Sequence, residues 1–161
     1  MNNPIEKRTY GGTIFYVSQE DSDFVDQYSW IDTGRGYIAR NHERIGNYRK
    51  RTQLHRAIGD RMFGGIPKNK IIDHIDRNPK NNCRENIRLA TYSNNQWNRV
   101  KSRNNTSGYK GVVQLKKTGR FIAMVGYKNY LVRIGSFPTV EEAYEAYCAI
   151  GSKLHGKFFI S

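Results

Sequence analysis

Residues 71–99 read IIDHIDRNPKNNCRENIRLATYSNNQWNR, and this stretch decides the fold of the chain around it. Two isoleucines lead into an adjacent acid and imidazole, Asp73 and His74, and a long polar loop follows. A β-type run over residues 87–91 and a helix start at Ser93 complete the pattern. The order strand, long turn, strand and helix predicts that Asp73, His74 and a side chain of the helix lie together.

Such a group of side chains is suited to phosphodiester cleavage. A hard divalent ion prefers oxygen ligands and open positions for phosphate and water, and Asp73 and Asn95 supply a carboxylate and an amide oxygen. A neutral imidazole, here His74, can take the proton from an attacking water. Asn86 stands where the second strand begins and is expected to brace the loop. The alternative is a structural loop, because Asn-rich runs commonly form Asx turns.

The motifs DHID, PKNN, REN and IRLAT, followed by a helix Asn, resemble the HNH endonucleases, especially the phage and intron-encoded homing enzymes. The resemblance implies a ββα-metal core with His74 as general base and Asn86 as the residue that orients the loop. It also implies a divalent ion, Mg²⁺ or alternatively Mn²⁺, held by Asp73 and Asn95. The open alternatives for the helix ligand are Asn94 and Asn98.

The charge of the chain predicts a polyanionic partner. There are 27 Lys and Arg residues against 14 Asp and Glu, giving a net charge of +13 and a pI of about 9.9. No apolar run approaches the roughly 18 residues of a membrane span, so nucleic acid is favoured over a membrane. Two cysteines, Cys83 and Cys148, make a disulfide framework improbable, and no signal sequence is recognised. These features predict a cytoplasmic protein.

The region before the central stretch is predicted to be a β-rich segment over residues 1–50. It contains a helix from residue 19 to 28 capped by Asp21 or Ser22. Residues 40–51 are strongly basic and form either a solvated loop or an edge that contacts phosphates. Residues 54–63 predict a short helix stopped by two glycines, in which His55 is interpreted as a scaffold residue rather than a catalytic one.

The C-terminal part predicts a second, compact unit. Three short strands over residues 108–137 precede a helix with a capping box from Thr139 to Glu142. The motifs YKGV, GRF, IGSF and EEA over about residues 107–158 resemble the AP2 DNA-binding domain. That resemblance implies a sheet whose free face lies in the major groove of DNA. The predicted contacts are Lys110, Gln114, Lys116, Arg120 and Arg133, with Arg99, Lys101 and Arg103 following the groove from the connecting segment.

Together these features predict an α+β protein with four segments: 1–50, an HNH core over 51–100, a basic linker over 101–107, and an AP2-like domain over 108–161. The predicted function is metal-dependent cleavage of double-stranded DNA, site-specific, of the homing type and nicking, by a monomer without a small-molecule cofactor. A phage- or intron-encoded enzyme acting in a host cell is implied by the resemblance. The alternatives are a DNA-binding regulator without enzymatic activity and an RNA-binding module.

Overall fold

The computed structural model of the chain describes residues 3–45, 48–99, 101–102, 104–128 and 130–159. The chain divides into two compact units, Met1–Tyr92 and Ser93–Ser161, where the sequence predicted four segments. The predicted boundary at residue 50 falls inside the first unit. Residues before and after position 50 pack in one hydrophobic cluster, and this shared core keeps them in a single unit.

The first unit combines short strands with two helices. Its helices are α1 (Gln19–Asp26) and α2 (Leu54–Phe63). Its strands are β1 (Ile5–Arg8), β2 (Ile14–Val17), β3 (Ile31–Asp32), β4 (Ile38–Ile45), β5 (Tyr48–Gln53), β6 (Ile71–His74), β7 (Asn81–Asn82) and β8 (Ile87–Ala90). A 3₁₀ turn, Arg84–Asn86, leads into β8.

Three small sheets surround the core of this unit. Strand β2 lies between β1, which is antiparallel, and β7, which is parallel, and β4 lies between β3 and β5. Strands β6 and β8 form a two-stranded antiparallel ribbon. The buried residues that pack together come from both helices, from four of these strands and from the residue before β3: Phe15, Val17, Val25, Trp30, Ile38, Leu54, Ile58, Ile72 and Ile87.

Helix α2 lies close against the ribbon. A Cβ atom at Gly59 would come within 2.5 Å of Ile72 Cδ1, so the absence of a side chain lets helix and strand approach. Gly64 ends the helix in the left-handed conformation with φ of 64°, which confirms the predicted stop. The first turn of the helix, which includes His55, therefore lies close to the end of β6.

Two sequence predictions in this unit need correction. The described residues of the stretch 40–51 do not form the predicted loop, because they belong to the antiparallel strands β4 and β5. Their side chains are too polar to show the alternation by which strands are recognised from sequence. Helix α1 begins one turn earlier than the predicted cap: its N-cap is Ser18, and Asp21 is a fully buried residue within the helix.

The second unit contains the predicted three-stranded sheet and helix. Strands β9 (Val112–Gln114), β10 (Phe121–Tyr127) and β11 (Tyr130–Phe137) are antiparallel with β10 in the centre. Helix α4 (Val140–His155) covers one face, and its cap Thr139 accepts a hydrogen bond from the backbone N–H of Glu142 at 3.3 Å. The core consists of Val112, Ala123, Val125, Ala143 and Tyr147.

Helix α3 (Tyr92–Asn98) begins at the boundary between the units, and the unit that starts at Ser93 contains most of it. The indole of Trp97 stacks on His155 of α4 with ring centroids 3.8 Å apart. Lys110 Nζ donates a hydrogen bond to the carbonyl oxygen of Trp97 at 2.6 Å. These contacts hold the helix to the sheet-and-helix core of its own unit.

Among the described residues, no helix is long and apolar enough to cross a membrane.

Candidate functional site

The loop between β6 and β8 is held in shape by hydrogen bonds that converge on Asn86. The Asn86 side chain is 7 % exposed, and its Nδ2 donates to Asp76 Oδ1 at 2.9 Å and to the carbonyl oxygen of Asn81 at 2.7 Å. Its Oδ1 accepts from the backbone N–H of Asp76 at 2.9 Å. Asn81 Nδ2 in turn donates to Asp76 Oδ2 at 2.8 Å. Hydrogen bonds therefore join the beginning of the loop at Asp76 to its end at Asn86.

His74 ends strand β6 in a buried, polar environment. It is 7 % exposed, and its Nε2 lies 3.3 Å from Oδ1 of Asn82, a residue that is 1 % exposed. Asn82 Nδ2 donates to the carbonyl oxygen of Pro79, so Asn82 Oδ1 is the acceptor and His74 Nε2 carries the proton. This tautomer makes Nδ1 the basic nitrogen. Burial lowers the pKa of His74, against the opposing effects of Asn82, Asp76 and Asp73.

A second imidazole lies against the first. The rings of His55 and His74 have centroids 4.9 Å apart in an edge-on arrangement, and Tyr37 contacts both rings. His55 is 6 % exposed, and its Nδ1 is buried without a hydrogen-bond partner among the described residues. Burial, with the nearby His74 and Arg56, lowers the pKa of His55 from 6.5 to about 3. Both imidazoles are therefore neutral at neutral pH.

Asp73 has different neighbours from His74. In the β6–β8 register Asp73 lies opposite Arg88, whose Nε donates to Asp73 Oδ2 at 2.9 Å and whose Nη2 lies 2.8 Å from the same oxygen. Consecutive residues of a strand point to opposite faces, which separates this ion pair from the His74 contacts. Asp73 nevertheless acts on the pKa of His74, and the prediction that the two side chains lie together stays a prediction. Cross-strand counting could have identified Arg88 from the sequence.

The side chains near the loop meet only some of the requirements of the predicted divalent ion. No cluster of three His, Cys, Asp or Glu side chains that could hold a metal occurs in the described part of the chain. Mg²⁺, however, keeps several waters and binds one or two carboxylates plus substrate phosphate oxygens. Asp73 is such a carboxylate, and Arg88 contacts its Oδ2.

The site loop is anchored to helix α1 by the buried carboxylate of Asp21, for which the sequence predicts only a role as a helix cap. Asp21 is 0 % exposed and accepts hydrogen bonds from Arg84 Nε at 2.6 Å and Arg84 Nη2 at 2.9 Å. It also accepts one from Arg61 Nε at 3.3 Å. Ser18 Oγ accepts from the Arg84 backbone N–H at 2.8 Å. These partners lie 40 to 66 residues apart in sequence, so no local pattern reveals them.

The predicted helix ligands lie on α3. Asn94 and Asn95 are half-buried and Asn98 is buried. They belong to the second unit and Asp73 to the first, so binding of one ion by Asp73 and a helix Asn stays a prediction.

Three of the predicted DNA contacts lie on or beside the three-stranded sheet of the second unit, and they differ in the face on which they lie and in their partners. Arg133 pairs with Met124 in the register and lies on the sheet face away from α4. Arg120 donates to the Ser136 side chain at 3.1 Å and to its carbonyl oxygen at 2.8 Å. Gln114 lies opposite Phe121 on the face toward α4, because it is two residues from the core residue Val112.

The remaining predicted DNA contacts precede β9 or follow it. Arg99, Lys101 and Lys116 are exposed, and Lys101 Nζ donates to the carbonyl oxygen of Gly108 at 2.6 Å. Lys110 uses its ammonium group to bind the end of α3. The prediction for Arg103 lies outside the described residues.

Burial of neutral His55 predicts that the protein loses stability in acid. A histidine with a pKa of 6.5 in the unfolded chain and about 3 in the fold binds more protons when unfolded. Its contribution is fully present above about pH 6.5 and falls as the pH falls towards 3. Because each pKa unit corresponds to 1.36 kcal/mol, we expect a loss of about 3 kcal/mol between pH 7 and pH 4.

Urea unfolding at several pH values measures this loss. The matched variant is His55→Phe, which keeps a ring against His74 and Tyr37 and removes the titrating group. We expect the variant to have a flatter dependence of the unfolding free energy on pH. Equal slopes for the two proteins would contradict the assignment of acid sensitivity to His55.

Comparison with known proteins identifies the family. The family described as HNH endonuclease matches residues 52–97, which run from the end of β5 through the ribbon into α3. The chain is 32 % identical over 149 residues to an uncharacterized HNH endonuclease of Acanthamoeba polyphaga mimivirus, an alignment that covers 91 % of this chain and 73 % of that protein. It is also 43 % identical over 63 residues to Protein 3.8 of Escherichia phage T7, which covers 39 % of this chain and 52 % of that protein.

No solved structure matches the chain. The family match contains His74, Asn86 and both strands of the ribbon, and the longer alignment extends over nearly the whole chain. The prediction of an enzyme is confirmed, and the alternative of a regulator without enzymatic activity is set aside. The chain therefore belongs to the HNH endonuclease family and is a nuclease.

Proposed function

We propose that this nuclease hydrolyses phosphodiester bonds of double-stranded DNA with His74 as the general base. The observation that carries the proposal is the hydrogen bond from His74 Nε2 to Asn82, which fixes the tautomer with a basic Nδ1. A base in that state accepts a proton from water without first losing one of its own. The HNH core and the net charge of +13 support DNA as the substrate.

The other residues of the ribbon and loop position this base. Asn82 orients the imidazole, and His55 and Tyr37 pack against its ring. Asn86 closes the loop through Asp76 and limits the conformations that the chain after His74 can adopt. These residues keep one orientation of His74 before the substrate arrives, which reduces the cost of reaching the reactive geometry.

HNH nucleases generally use a divalent metal ion. For this chain we propose Mg²⁺, with Asp73 and Asn95 as its ligands and Asn94 or Asn98 as the alternatives to Asn95. When bound, the ion would neutralise negative charge on the phosphate. Asp73 already holds the cationic Arg88, which supports its ability to bind a positive charge at this place.

We further propose that the second unit binds the duplex in the manner of an AP2-like domain and positions the nuclease core. A three-stranded sheet with one face under α4 and Arg133 on the other face supports this assignment. Arg120, Lys116, Arg99 and Lys101 extend the basic surface, whereas the placements of Gln114 and Lys110 support other roles. A site-specific, homing-type enzyme that nicks one strand as a monomer inside a virus-infected host cell fits the viral origin of both relatives.

Removal of divalent metal should abolish cleavage. We expect supercoiled plasmid to be nicked in Mg²⁺ and to stay intact in excess EDTA, and added Mg²⁺ should restore nicking. Asp73→Ala should lower the rate by at least about 10²-fold, because metal ions contribute several kcal/mol to stabilisation of the transition state. Gel electrophoresis separates nicked, linear and supercoiled forms, so the order of their appearance also tests the proposed nicking.

The control is Asp26→Ala, which removes a carboxylate of the same unit that pairs with Lys7 at 2.6 Å on the surface. It should keep the wild-type rate. Cleavage that persists in EDTA would rule out the metal-dependent mechanism. If Asp73→Ala and Asp26→Ala lose activity to the same extent, the assignment of Asp73 as a ligand of the ion is rejected.

A further inference from the structure

A basic concavity on the first unit has no role in the site described above. It has a volume of about 420 Å³ and lies between helices α1 and α2 and the β4–β5 hairpin. Three guanidinium groups line it, from Arg40, Arg56 and Arg61, together with Thr52 and a single acid, Asp60. We call this concavity the arginine pocket. Its lining is positively charged, which suits an anionic ligand.

Arg40 is held in the arginine pocket by an aromatic ring. Its Cζ lies 3.6 Å from the centroid of the Tyr28 ring, and its Nε is buried without a hydrogen-bond partner among the described residues. Stacking uses the flat face of a guanidinium group and leaves its in-plane N–H donors for an acceptor. A buried donor without a partner costs free energy, and a phosphate oxygen would satisfy it.

Arg61 is fixed in a similar way and already has a protein partner. Its Cζ lies 4.5 Å from the centroid of the Phe24 ring, and its Nε donates to buried Asp21. Arg61 therefore contributes positive charge from a fixed position, whereas Arg40 contributes an unsatisfied donor. The two stacked arginines are pre-organised, so an anion would not have to order them.

A second depression adjoins the arginine pocket. It has a volume of about 310 Å³ and is lined by Lys50, Arg51, Thr52, Gln53 and Arg56. Thr52 and Arg56 line both concavities, and no ion pair of Arg56 or Lys50 occurs within the described ranges. The two depressions together present five cations and one carboxylate. A small anion would fill only one of them, whereas a repeating polyanion would fill both.

We propose that the arginine pocket and the adjoining depression bind successive phosphates of the DNA backbone. This inference rests on the proposed function for the identity of the polyanion. It assigns Arg40, Lys50 and Arg51 of the basic stretch to phosphate contact rather than to a solvated surface. Arg40 and Arg56 are the principal ligands, and Arg61 and Lys50 add to the potential. Contacts of this kind set the register of the enzyme on the duplex without reading its sequence.

The salt dependence of binding to a short random-sequence DNA duplex, measured by fluorescence anisotropy in EDTA, tests the proposal. Each phosphate contact contributes about −0.9 to the slope of log Kobs against log salt concentration. We expect Arg56→Gln and Arg40→Gln each to reduce the magnitude of the slope by about 0.9, and the double variant by about 1.8. Arg56 is exposed, so its replacement removes charge without disturbing packing.

The matched control is Arg8→Gln, which removes one arginine of the same unit that pairs with Glu6 on the surface. Its slope should equal that of the wild type. If Arg56→Gln and Arg40→Gln also keep the wild-type slope, while melting shows that they are folded, the proposal is overturned. Duplexes with one neutral methylphosphonate at successive positions give a second readout, because Arg56→Gln should become insensitive at one position that weakens wild-type binding.

Failure of this inference is distinguishable from failure of the proposed function. The binding slopes are measured without cleavage, so they test the arginine pocket alone. Reduced slopes together with unchanged cleavage by a His74 variant would uphold the phosphate contacts and reject His74 as the base. If Arg40→Gln and Arg56→Gln keep the wild-type slope and the His74 variant is inactive, the phosphate contacts are rejected and His74 is upheld as the base.

Discussion

Replacing His74 with alanine should lower the rate of DNA cleavage by about 10²–10⁴-fold and leave the affinity for duplex DNA close to that of the wild type. The expected loss is that of a general base removed from a site whose phosphate-binding groups remain. His74 is buried, and its Nε2 binds Asn82. Among the described residues, the imidazole that contacts the His74 ring is that of His55. His55 cannot replace it by a small movement, because it belongs to helix α2 and is buried against His74 and Tyr37.

Single-turnover cleavage with enzyme in excess measures the chemical step, and a separate binding titration in EDTA measures affinity. Added imidazole should restore part of the activity of His74→Ala if the lost group acts as a base. Asn82→Ala keeps the base but removes the acceptor that fixes its tautomer, so we expect an intermediate loss. Tyr10→Ala, which truncates a side chain that is 93 % exposed, is the control and should keep the wild-type rate.

A His74→Ala enzyme that is folded and cleaves at the wild-type rate would eliminate His74 as the base. A parallel loss of duplex affinity would instead indicate that the imidazole contacts the substrate in the ground state. The rate, the affinity and the rescue by imidazole therefore separate a catalytic role from a structural one.

The strands and turns of the central stretch could be predicted from sequence because their signals are local. Apolar residues before Asp73, a proline-containing polar loop and a β-type run after Asn86 lie within one short segment, and β6 and β8 occupy those places. Helix α2 has the predicted bounds because Gly64 supplies a strong stop signal. In the second unit the capping box at Thr139 marks the start of α4 in the same way.

The parts that could not be predicted depend on contacts between distant residues. The β4–β5 hairpin carries charged side chains without apolar alternation, so only its pairing identifies it. His55 stands next to His74 because α2 packs on β6, and the sequence separation of 19 gives no indication of that contact. In the sequence Asn82 is one of several asparagines in the loop, and only the fold distinguishes it as the partner of His74.

The stability of the site loop depends on the ion pair between buried Asp21 and half-buried Arg84, which are distant in sequence, and Arg84→Ala should therefore destabilise the protein by about 3 kcal/mol. The variant leaves the Asp21 carboxylate at 0 % exposure with Arg61 Nε at 3.3 Å as its remaining cation. A buried charge that loses its principal partner keeps the cost of desolvation and loses most of the compensation. Arg84 precedes Asn86 in the same turn, so we expect cleavage activity to fall as well.

The double variant Asp21→Ala/Arg84→Ala decides whether the cost comes from the stranded carboxylate. If it does, the double variant is more stable than Arg84→Ala alone, because neither charge of the pair is left behind. Arg8→Ala, which breaks the exposed pair with Glu6, is the control and should cost no more than about 1 kcal/mol. Urea unfolding measures all three variants. A double variant no more stable than Arg84→Ala would mean that Arg84 stabilises the loop through packing rather than through the charge of Asp21.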